Sequence, residues 1–152
     1  AENGILVDAV FATSDENISA IGDCARFATA TGQMRLESVQ NATDQAKALA
    51  LRLLGKPRPY DAVPWFWTDQ FDRKLQIAGL SQDADQHVVL DDLGSTTVLS
   101  FKDDRMVAAE CLDRPIDYMM ARRILATSRR PTRSEAVAPE FSLKAWFSAT
   151  PA

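Results

Sequence analysis

Apolar residues follow a helical period in the first third of the chain and a strand period later on. Between residues 38 and 54 they recur at steps of three and four, which places them on one face of an α-helix. The stripe consists of Val39, Ala42, Ala46, Leu49 and Leu53. Ser38 can cap the first turn, and Gly55 followed by Pro57 ends the pattern. We predict a helix over residues 38–54 that buries this stripe.

Short strands are predicted on the N-terminal side of this helix. Residues 1–12 contain Ile, Leu and Val in close succession, and a second apolar run covers Asn17–Ile21. Gly22 and Asp23 are typical of a turn, and residues 29–32 of a polar loop. Because residues 1–12 begin abruptly in a strand-like run without a starting Met, we expect the chain to be a piece of a longer protein.

A proline-rich segment separates the two halves of the pattern. Residues 56–64 hold three of the seven prolines and predict a semi-rigid connector between units at 1–55 and 65–152. Beyond it the apolar period changes to two. Strands are predicted at residues 75–77, 88–90, 98–101 and 106–112, and the last two form an antiparallel hairpin around the polar turn 102–104.

A second helix is predicted after the hairpin. Asp113 serves as its cap and Pro115 lies in its first turn, where a missing N–H costs least. Its expected buried stripe consists of Ile116, Met119, Met120 and Ile124. The apolar tail at residues 141–147 predicts a short final helical turn. The second half is therefore an α+β domain, an antiparallel sheet with flanking helices.

Composition excludes several classes of protein. The chain has 152 residues and a net charge of −4, so it lacks the basic excess of a nucleic-acid-binding protein. No apolar run reaches the roughly 20 residues that span a bilayer, and we expect no membrane association. Two distant cysteines indicate a reducing, cytoplasmic location, with Cys24 interpreted as a small buried apolar residue. The single histidine, His87, is assigned a structural or surface role. No GxGxxG or GxxxxGK[ST] phosphate loop is present.

The segment TSDENISAIGDCAR, residues 13–26, resembles the second FAD-binding motif of flavoprotein reductases that have two dinucleotide-binding domains. Three further blocks, at residues 37–50, 63–80 and 113–124, resemble ferredoxin reductases of the putidaredoxin-reductase type, in the order of that family. The match covers only the C-terminal part of such an enzyme. It implies that residues 1–55 are the last strands and helix of an FAD-binding domain. Glu16 departs from the family, where proline is usual.

The resemblance implies an activity and a set of site residues. These enzymes pass electrons from NAD(P)H through FAD to a 2Fe–2S ferredoxin, and the nicotinamide would bind in a domain this chain lacks. Asp23 would accept a hydrogen bond from a ribityl hydroxyl, with Gly22 allowing close backbone approach. The backbone of Val39, at a helix N-terminus, would face the flavin pyrimidine, and Trp67 would lie beside the isoalloxazine. Three cations could steer an acidic ferredoxin: Lys47, Arg73 and Lys74.

A second interpretation keeps the fold without the chemistry. The chain could be an interaction or dimerisation module derived from such a reductase, with its N-terminal apolar residues pairing two copies. On either interpretation this chain alone is expected to be inactive and to retain no FAD.

Overall fold

The computed structural model describes residues 3–29 and 32–149, so the predicted run 1–12, the loop 29–32 and the end of the C-terminal unit each extend partly outside the described residues. The chain divides into two compact units, residues 1–62 and residues 63–152. The division falls inside the predicted connector 56–64. The two units are described separately below.

The first unit contains a small mixed sheet. Strand β1 (Ile5–Leu6) pairs in parallel with β2 (Ala25–Thr29), and β2 pairs antiparallel with β3 (Gly32–Met34). The N-terminal strand prediction is thus confirmed in part, whereas the β2–β3 hairpin was not predicted. Its sequence signal is the alternation in β2, where Ala25 and Phe27 are buried and Arg26 and Ala28 are not.

The strand predicted at Asn17–Ile21 is wrong. Only Ser19 makes a bridge, to Ala12, and the chain then forms a single 3₁₀ turn over Gly22–Cys24. The preceding residues use their side chains for local bonds instead. The Asp15 N–H donates to the Thr13 hydroxyl and the Asn17 N–H to the Asp15 carboxylate. Such bonds compete with a strand ladder for the same backbone groups.

Helix α1 (Val39–Leu53) has the ends that the sequence predicts. The Ser38 hydroxyl accepts from the Asn41 N–H at 3.1 Å. At the other end Gly55 has a φ of +72° and donates to the Arg52 carbonyl, while Lys56 donates to the Leu51 carbonyl. This pair of bonds is a Schellman motif, which requires a left-handed residue at the position of Gly55.

The predicted buried face of α1 is wrong. Val39 is 70% exposed and Leu53 75% exposed, whereas Asn41 and Gln45 are buried. The helix therefore turns amide side chains toward the interior of the unit and most of its apolar stripe outward. The reason is that the amides have hydrogen-bond partners inside, which offset the desolvation cost of burying them.

The second unit is built on a five-stranded antiparallel sheet. Its strands are β4 (Trp65–Gln70), β5 (Arg73–Gly79), β6 (Gln86–Asp92), β7 (Ser95–Lys102) and β8 (Arg105–Leu112), in the spatial order β4-β5-β8-β7-β6. The predicted strands and the β7–β8 hairpin are confirmed, and β4 is an addition. The α+β prediction for this half is therefore confirmed.

One helix and two short helical segments cover this sheet. Helix α2 (Pro115–Leu125) is followed by α3 (Arg133–Ala136) and α4 (Leu143–Ser148), the last of which confirms the predicted final helical turn. The core between sheet and helices contains fully buried apolar side chains. They include Leu99, Phe101, Met106, Ile124 and Leu143.

Asp113 does not cap α2, contrary to the prediction. The N-cap residue is Arg114, and Pro115 occupies the first helical position as predicted. Asp113 has a φ of +55°, and its carboxylate accepts from the Lys74 N–H at 2.8 Å and pairs with the Arg73 guanidinium. These bonds use the carboxylate to join β5 to the end of β8, so it is not available to the helix.

The predicted stripe of α2 is half correct. Met120 and Ile124 are buried, but Ile116 and Met119 are about half exposed. Asp117 is buried in their place, because its carboxylate accepts from the Thr97 hydroxyl at 2.9 Å and from Arg114 at 3.0 Å. A polar contact again determines which side of a helix faces the interior.

Two hairpin turns carry bulky apolar residues in the left-handed conformation. Phe71 has a φ of +57° and Leu93 of +39°, and both side chains are fully exposed. In the β7–β8 turn the corresponding left-handed positions are occupied by Asp103 and Asp104, residues that tolerate this conformation far better. The leucine and phenylalanine therefore store backbone strain without burying apolar surface.

We predict that Leu93→Asn stabilises the second unit by about 1 kcal/mol, because asparagine adopts a positive φ at lower cost. All three tryptophans lie in this unit, so their fluorescence during urea unfolding reports its stability. Val89→Asn is the matched control, since Val89 is an exposed residue on β6 without a positive φ, and it should destabilise. Destabilisation by Leu93→Asn would show that the turn is not strained.

Candidate functional site

An open concavity of about 810 Å³ lies in the first unit, beside α1. It brings together three of the residues singled out in the sequence, namely Asp23, Val39 and Lys47. The remaining lining residues also lie on α1 or at its N-cap: Ser38, Ala42, Thr43, Ala46 and Ala50. Of the predicted cofactor-binding positions in the first unit, Asp23 and Val39 line this concavity, whereas Gly22 does not.

Small apolar residues form the floor of the concavity. Ala42, Ala46 and Ala50 follow one another at a spacing of four, so their methyl groups lie along one face of α1. Ala42 and Ala46 belong to the apolar stripe that the helical pattern assigned to the core. The pattern was real, but it marks a surface that faces an open cleft. Methyl side chains at this spacing would let a flat ring approach the helix backbone closely.

Gly22 begins the 3₁₀ turn that carries Asp23 to the rim of this concavity. Its φ of +71° lies in the left-handed region, where a side chain costs about 1 kcal/mol or more. A Cβ added there would lie 3.5 Å from the Ala42 Cβ, an ordinary contact. The need for glycine is therefore one of backbone conformation rather than of space.

The turn is attached to α1 by a buried amide. The Gly22 N–H donates to Gln45 Oε1 at 2.7 Å, and Gln45 is 0% exposed. Gln45 Nε2 donates in turn to Asn41 Oδ1 at 3.1 Å, and Asn41 Nδ2 donates to the Leu36 carbonyl at 2.9 Å. Sequence reasoning missed this network. Its signal was a pair of amide residues four positions apart, beside the apolar stripe on the helix surface.

Tyr60 completes the network from the far side. Its hydroxyl donates to Asn41 Oδ1 at 3.1 Å, and its ring lies 5.4 Å from the ring of Phe11 and 5.7 Å from that of Phe27. Burial, reinforced by the negative charge of Asp44, raises the pKa of Tyr60 to about 12. The hydroxyl therefore remains protonated and a donor across the physiological pH range.

The N-terminus of α1 opens onto the same concavity. The Asn41 N–H is satisfied by Ser38, but the N–H groups of Val39 and Gln40 have no acceptor among residues 3–29 and 32–149. Unpaired donors at a helix start carry a partial positive charge. The predicted contact at the Val39 backbone thus has a free donor, beside a cleft that can admit a ligand.

The predicted aromatic residue lies in the second unit. Trp67 is on β4 with 42% of its surface exposed. Its ring centroid lies 5.5 Å from that of Trp65, and the Arg122 guanidinium lies 4.5 Å above the Trp65 ring. Trp65 thus contacts both Trp67 and a cation, and Trp67 has an aromatic neighbour but remains partly exposed.

The three predicted steering cations are paired with carboxylates. Lys47 lies 3.6 Å from Asp44 and Lys74 lies 3.0 Å from Asp69. Arg73 pairs with Asp113 and also donates to the Gly94 carbonyl. These pairs reduce the positive field that each cation presents to a distant partner, although the side chain of Lys47 stays 71% exposed.

The two cysteines lie in different surroundings. Cys24 is exposed, so the expectation that it is a buried apolar residue is wrong. Cys111 is buried, and burial raises the pKa of its thiol to about 12, which makes it a poor nucleophile.

The described residues contain no group of three or more potential metal ligands. The single histidine, His87, is exposed, and its Nδ1 lies 3.0 Å from the Ser100 hydroxyl. No helix in the described part of the chain is long and apolar enough to cross a membrane.

Two family models match this chain, one to each unit. The family described as "Reductase C-terminal" matches residues 65–147, more than half of the sequence. The chain belongs to the reductase C-terminal family. The family described as "Pyridine nucleotide-disulphide oxidoreductase" matches residues 1–46, which include the 3₁₀ turn and the start of α1. The resemblance inferred from the sequence motifs is thereby confirmed.

Two similar proteins are named as reductases. Rhodocoxin reductase of Rhodococcus erythropolis is 48% identical over 147 residues, which cover 94% of this chain and 34% of the relative. Putidaredoxin reductase of Pseudomonas putida is 36% identical over 143 residues, which cover 91% of this chain and 34% of the relative. This member of the reductase C-terminal family thus spans about a third of the length of these relatives.

Two solved structures share its fold. The ferredoxin reductase for the CYP199A2 system of Rhodopseudomonas palustris has a TM-score of 0.87 and 44% identity, covering 94% of this chain and 36% of its own. The reductase in a covalent putidaredoxin reductase–putidaredoxin complex has a TM-score of 0.90 and 32% identity, covering 98% of this chain and 37% of its own. At these identities the likeness extends beyond the fold to the family.

We predict that Tyr60→Phe destabilises the first unit by about 1 kcal/mol, the value of one hydrogen bond that joins buried groups. The effect should depend on pH. Because the folded state raises the pKa of Tyr60 from 10.0 to about 12, its contribution is complete below pH 10 and is lost as the pH rises toward 12.

Urea unfolding followed by far-ultraviolet circular dichroism, which reports the helices of both units, measures both effects, and tryptophan fluorescence identifies the part of the transition that belongs to the second unit. The wild-type protein should lose stability over this alkaline range and the Tyr60→Phe variant should lose less. Identical alkaline profiles for the two proteins would contradict the assignment.

Proposed function

We propose that this chain is the C-terminal part of an FAD-dependent NAD(P)H:ferredoxin reductase, and that its first unit contacts the flavin. The observation that carries the proposal is the concavity in which Asp23, the free start of α1 and an alanine floor meet. The relatives support it, because each is a reductase whose length this chain covers in part. The electron acceptor in this proposal is a 2Fe–2S ferredoxin.

The chemistry of the lining residues fits the ribityl and flavin portions of FAD. The Asp23 carboxylate is exposed and accepts no hydrogen bond from the described residues, while the Asp23 carbonyl is held by Arg35 Nη1 at 3.0 Å. Its backbone is thus fixed and its side chain is free. An ionised carboxylate only accepts hydrogen bonds, which suits the hydroxyl donors of a sugar alcohol.

The flavin ring would lie against α1 in this proposal. The alanine floor offers apolar contact to a flat ring, and the free N–H of Val39 would donate to the polar edge of the pyrimidine. When bound, FAD supplies the exchange between two-electron and one-electron transfer. The chain itself binds and orients the cofactor, and its helix N-terminus stabilises negative charge nearby.

The second unit would form part of the ferredoxin-binding surface. Trp67 is exposed and would lie beside the isoalloxazine, and Arg73 and Lys74 would contact acidic groups of the partner. Lys47, on α1 of the first unit, would add a third such contact. The structurally similar putidaredoxin reductase has been captured with putidaredoxin, which supports a protein partner of this class. NAD(P)H would bind outside this chain. Two unpaired cysteines are compatible with a reducing, cytoplasmic compartment.

The ribityl role of Asp23 predicts a specific loss. In the full-length flavoprotein, Asp23→Ala should weaken FAD binding by about 1.5–3 kcal/mol, the scale of a hydrogen bond to a charged group. Equilibrium dialysis of the apoprotein against FAD measures the effect. Glu16→Ala, which removes another exposed carboxylate of the same unit, should leave FAD affinity unchanged.

A common outcome for the two variants would contradict the proposal. If Asp23→Ala binds FAD as tightly as the wild type, the carboxylate does not contact the cofactor. If Glu16→Ala weakens binding equally, the loss reflects the general charge of the unit.

A second candidate function is self-association through the first unit. Strand β1 is at an edge of its sheet, and Ile5 and Leu6 on it are exposed, as are Ile18 and Leu53 elsewhere in the unit. Exposed apolar residues on an edge strand favour pairing with a second strand. These features support a dimerisation module, as the alternative interpretation of the sequence expects.

This candidate predicts a dimer that Leu6→Lys dissociates, because lysine on an edge strand opposes pairing. Sedimentation velocity of the 152-residue chain over a range of concentrations measures the association. Val137→Lys, at an exposed apolar residue of the second unit, is the matched control and should remain dimeric. A wild-type chain that sediments as a monomer throughout would rule out this function.

A further inference from the structure

We propose that Gln45 is the positioning residue for the flavin contact of Asp23. The proposal rests on the proposed function, in which Asp23 binds the ribityl chain. Gln45 is fully buried and is not among the residues that line the concavity. It acts through Gly22, the residue that precedes Asp23 in the turn.

The orientation of the Gln45 amide is determined by its neighbours. Asn41 Nδ2 donates to the Leu36 carbonyl, so Asn41 Oδ1 faces the other way, toward the Tyr60 hydroxyl and Gln45. An oxygen at this position can only accept, and Gln45 must therefore present Nε2 to it. The Gln45 carbonyl oxygen is left pointing at the Gly22 N–H, which it reaches at 2.7 Å.

This bond is the fixed link between the turn and the helix. Gly22 is buried and its N–H is the first of the 3₁₀ turn, so it has no partner within the turn itself. Without the Gln45 oxygen the donor would be buried unsatisfied, and the turn would shift until water reached it. Asp23 would move with the turn, because the two residues are adjacent and share the 3₁₀ geometry.

The same amide explains why α1 exposes its apolar side. With Gln45 and Asn41 facing inward, the adjoining side of the helix, which carries Ala42 and Ala46, lines the concavity. A single buried residue therefore sets both the position of the carboxylate and the orientation of the floor. A core leucine at position 45 would fill the space, but it could not accept from Gly22.

Gln45→Met tests this role, because methionine has a similar length and accepts hydrogen bonds only weakly. The first measurement is amide hydrogen exchange at Gly22 in the 152-residue chain, followed by NMR. We expect exchange at Gly22 to accelerate at least tenfold relative to the wild type. The matched control is Gln33→Met on the exposed face of β3, which should leave the Gly22 rate unchanged.

The second measurement separates positioning from general support of the fold. FAD dissociation constants are determined for the full-length flavoprotein with Asp23→Ala, Gln45→Met and both changes together. Each single change should weaken FAD binding about tenfold to a hundredfold. The double variant should bind FAD as tightly as whichever single variant has the lower affinity, because both changes remove the same contact. A residue that only supports the fold would instead multiply its effect with that of Asp23→Ala.

The outcomes distinguish this inference from the proposed function. An unchanged FAD affinity in Asp23→Ala overturns the proposed function, and the role of Gln45 with it. If Asp23→Ala weakens binding but the effects multiply, or if the Gly22 amide exchanges at the wild-type rate in Gln45→Met, the role of Gln45 alone is overturned. Should Gln45→Met not fold, Tyr60→Phe tests the same network, with a rise of about threefold in Gly22 exchange and the same non-multiplicative pattern expected.

Discussion

The first unit depends on the burial of two amide side chains on one helix. Gln45 and Asn41 occupy the inward face of α1, where apolar residues would ordinarily lie, and their donors and acceptors are matched to Gly22, Leu36 and Tyr60. Buried amides of this kind are stable only when their bonds are made. This requirement fixes the rotation of the helix, and the alanine face is left to line a cleft.

The second unit shows the same principle in a different setting. Its core is apolar, yet the rotation of α2 follows from Asp117, which is buried and bonded to Thr97 and Arg114. Ile116, which the apolar pattern placed inside, is exposed instead. Polar contacts are directional and apolar contacts are not. In both units the apolar residues supply the driving force for folding, while a few hydrogen bonds determine which surface each helix presents.

This division explains what the sequence could predict. The ends of α1, the β7–β8 hairpin and the α+β character of the second unit depend on local signals such as Ser38, Gly55 and period-two runs. The buried faces of α1 and α2 were predicted wrongly in whole or in part, because periodicity locates an apolar stripe without showing what lies against it. Asp113 was misassigned since its partners, Arg73 and Lys74, lie some 40 positions away.

The position of the bound cofactor tests the central claim most directly. A crystal structure of the full-length flavoprotein with FAD bound would show whether the flavin lies in the concavity beside α1. We expect the ring against Ala42 and Ala46 and a ribityl hydroxyl within about 3 Å of an Asp23 carboxylate oxygen, with Gly22 still donating to Gln45. A flavin bound elsewhere, with this concavity filled by protein or solvent, would contradict the account.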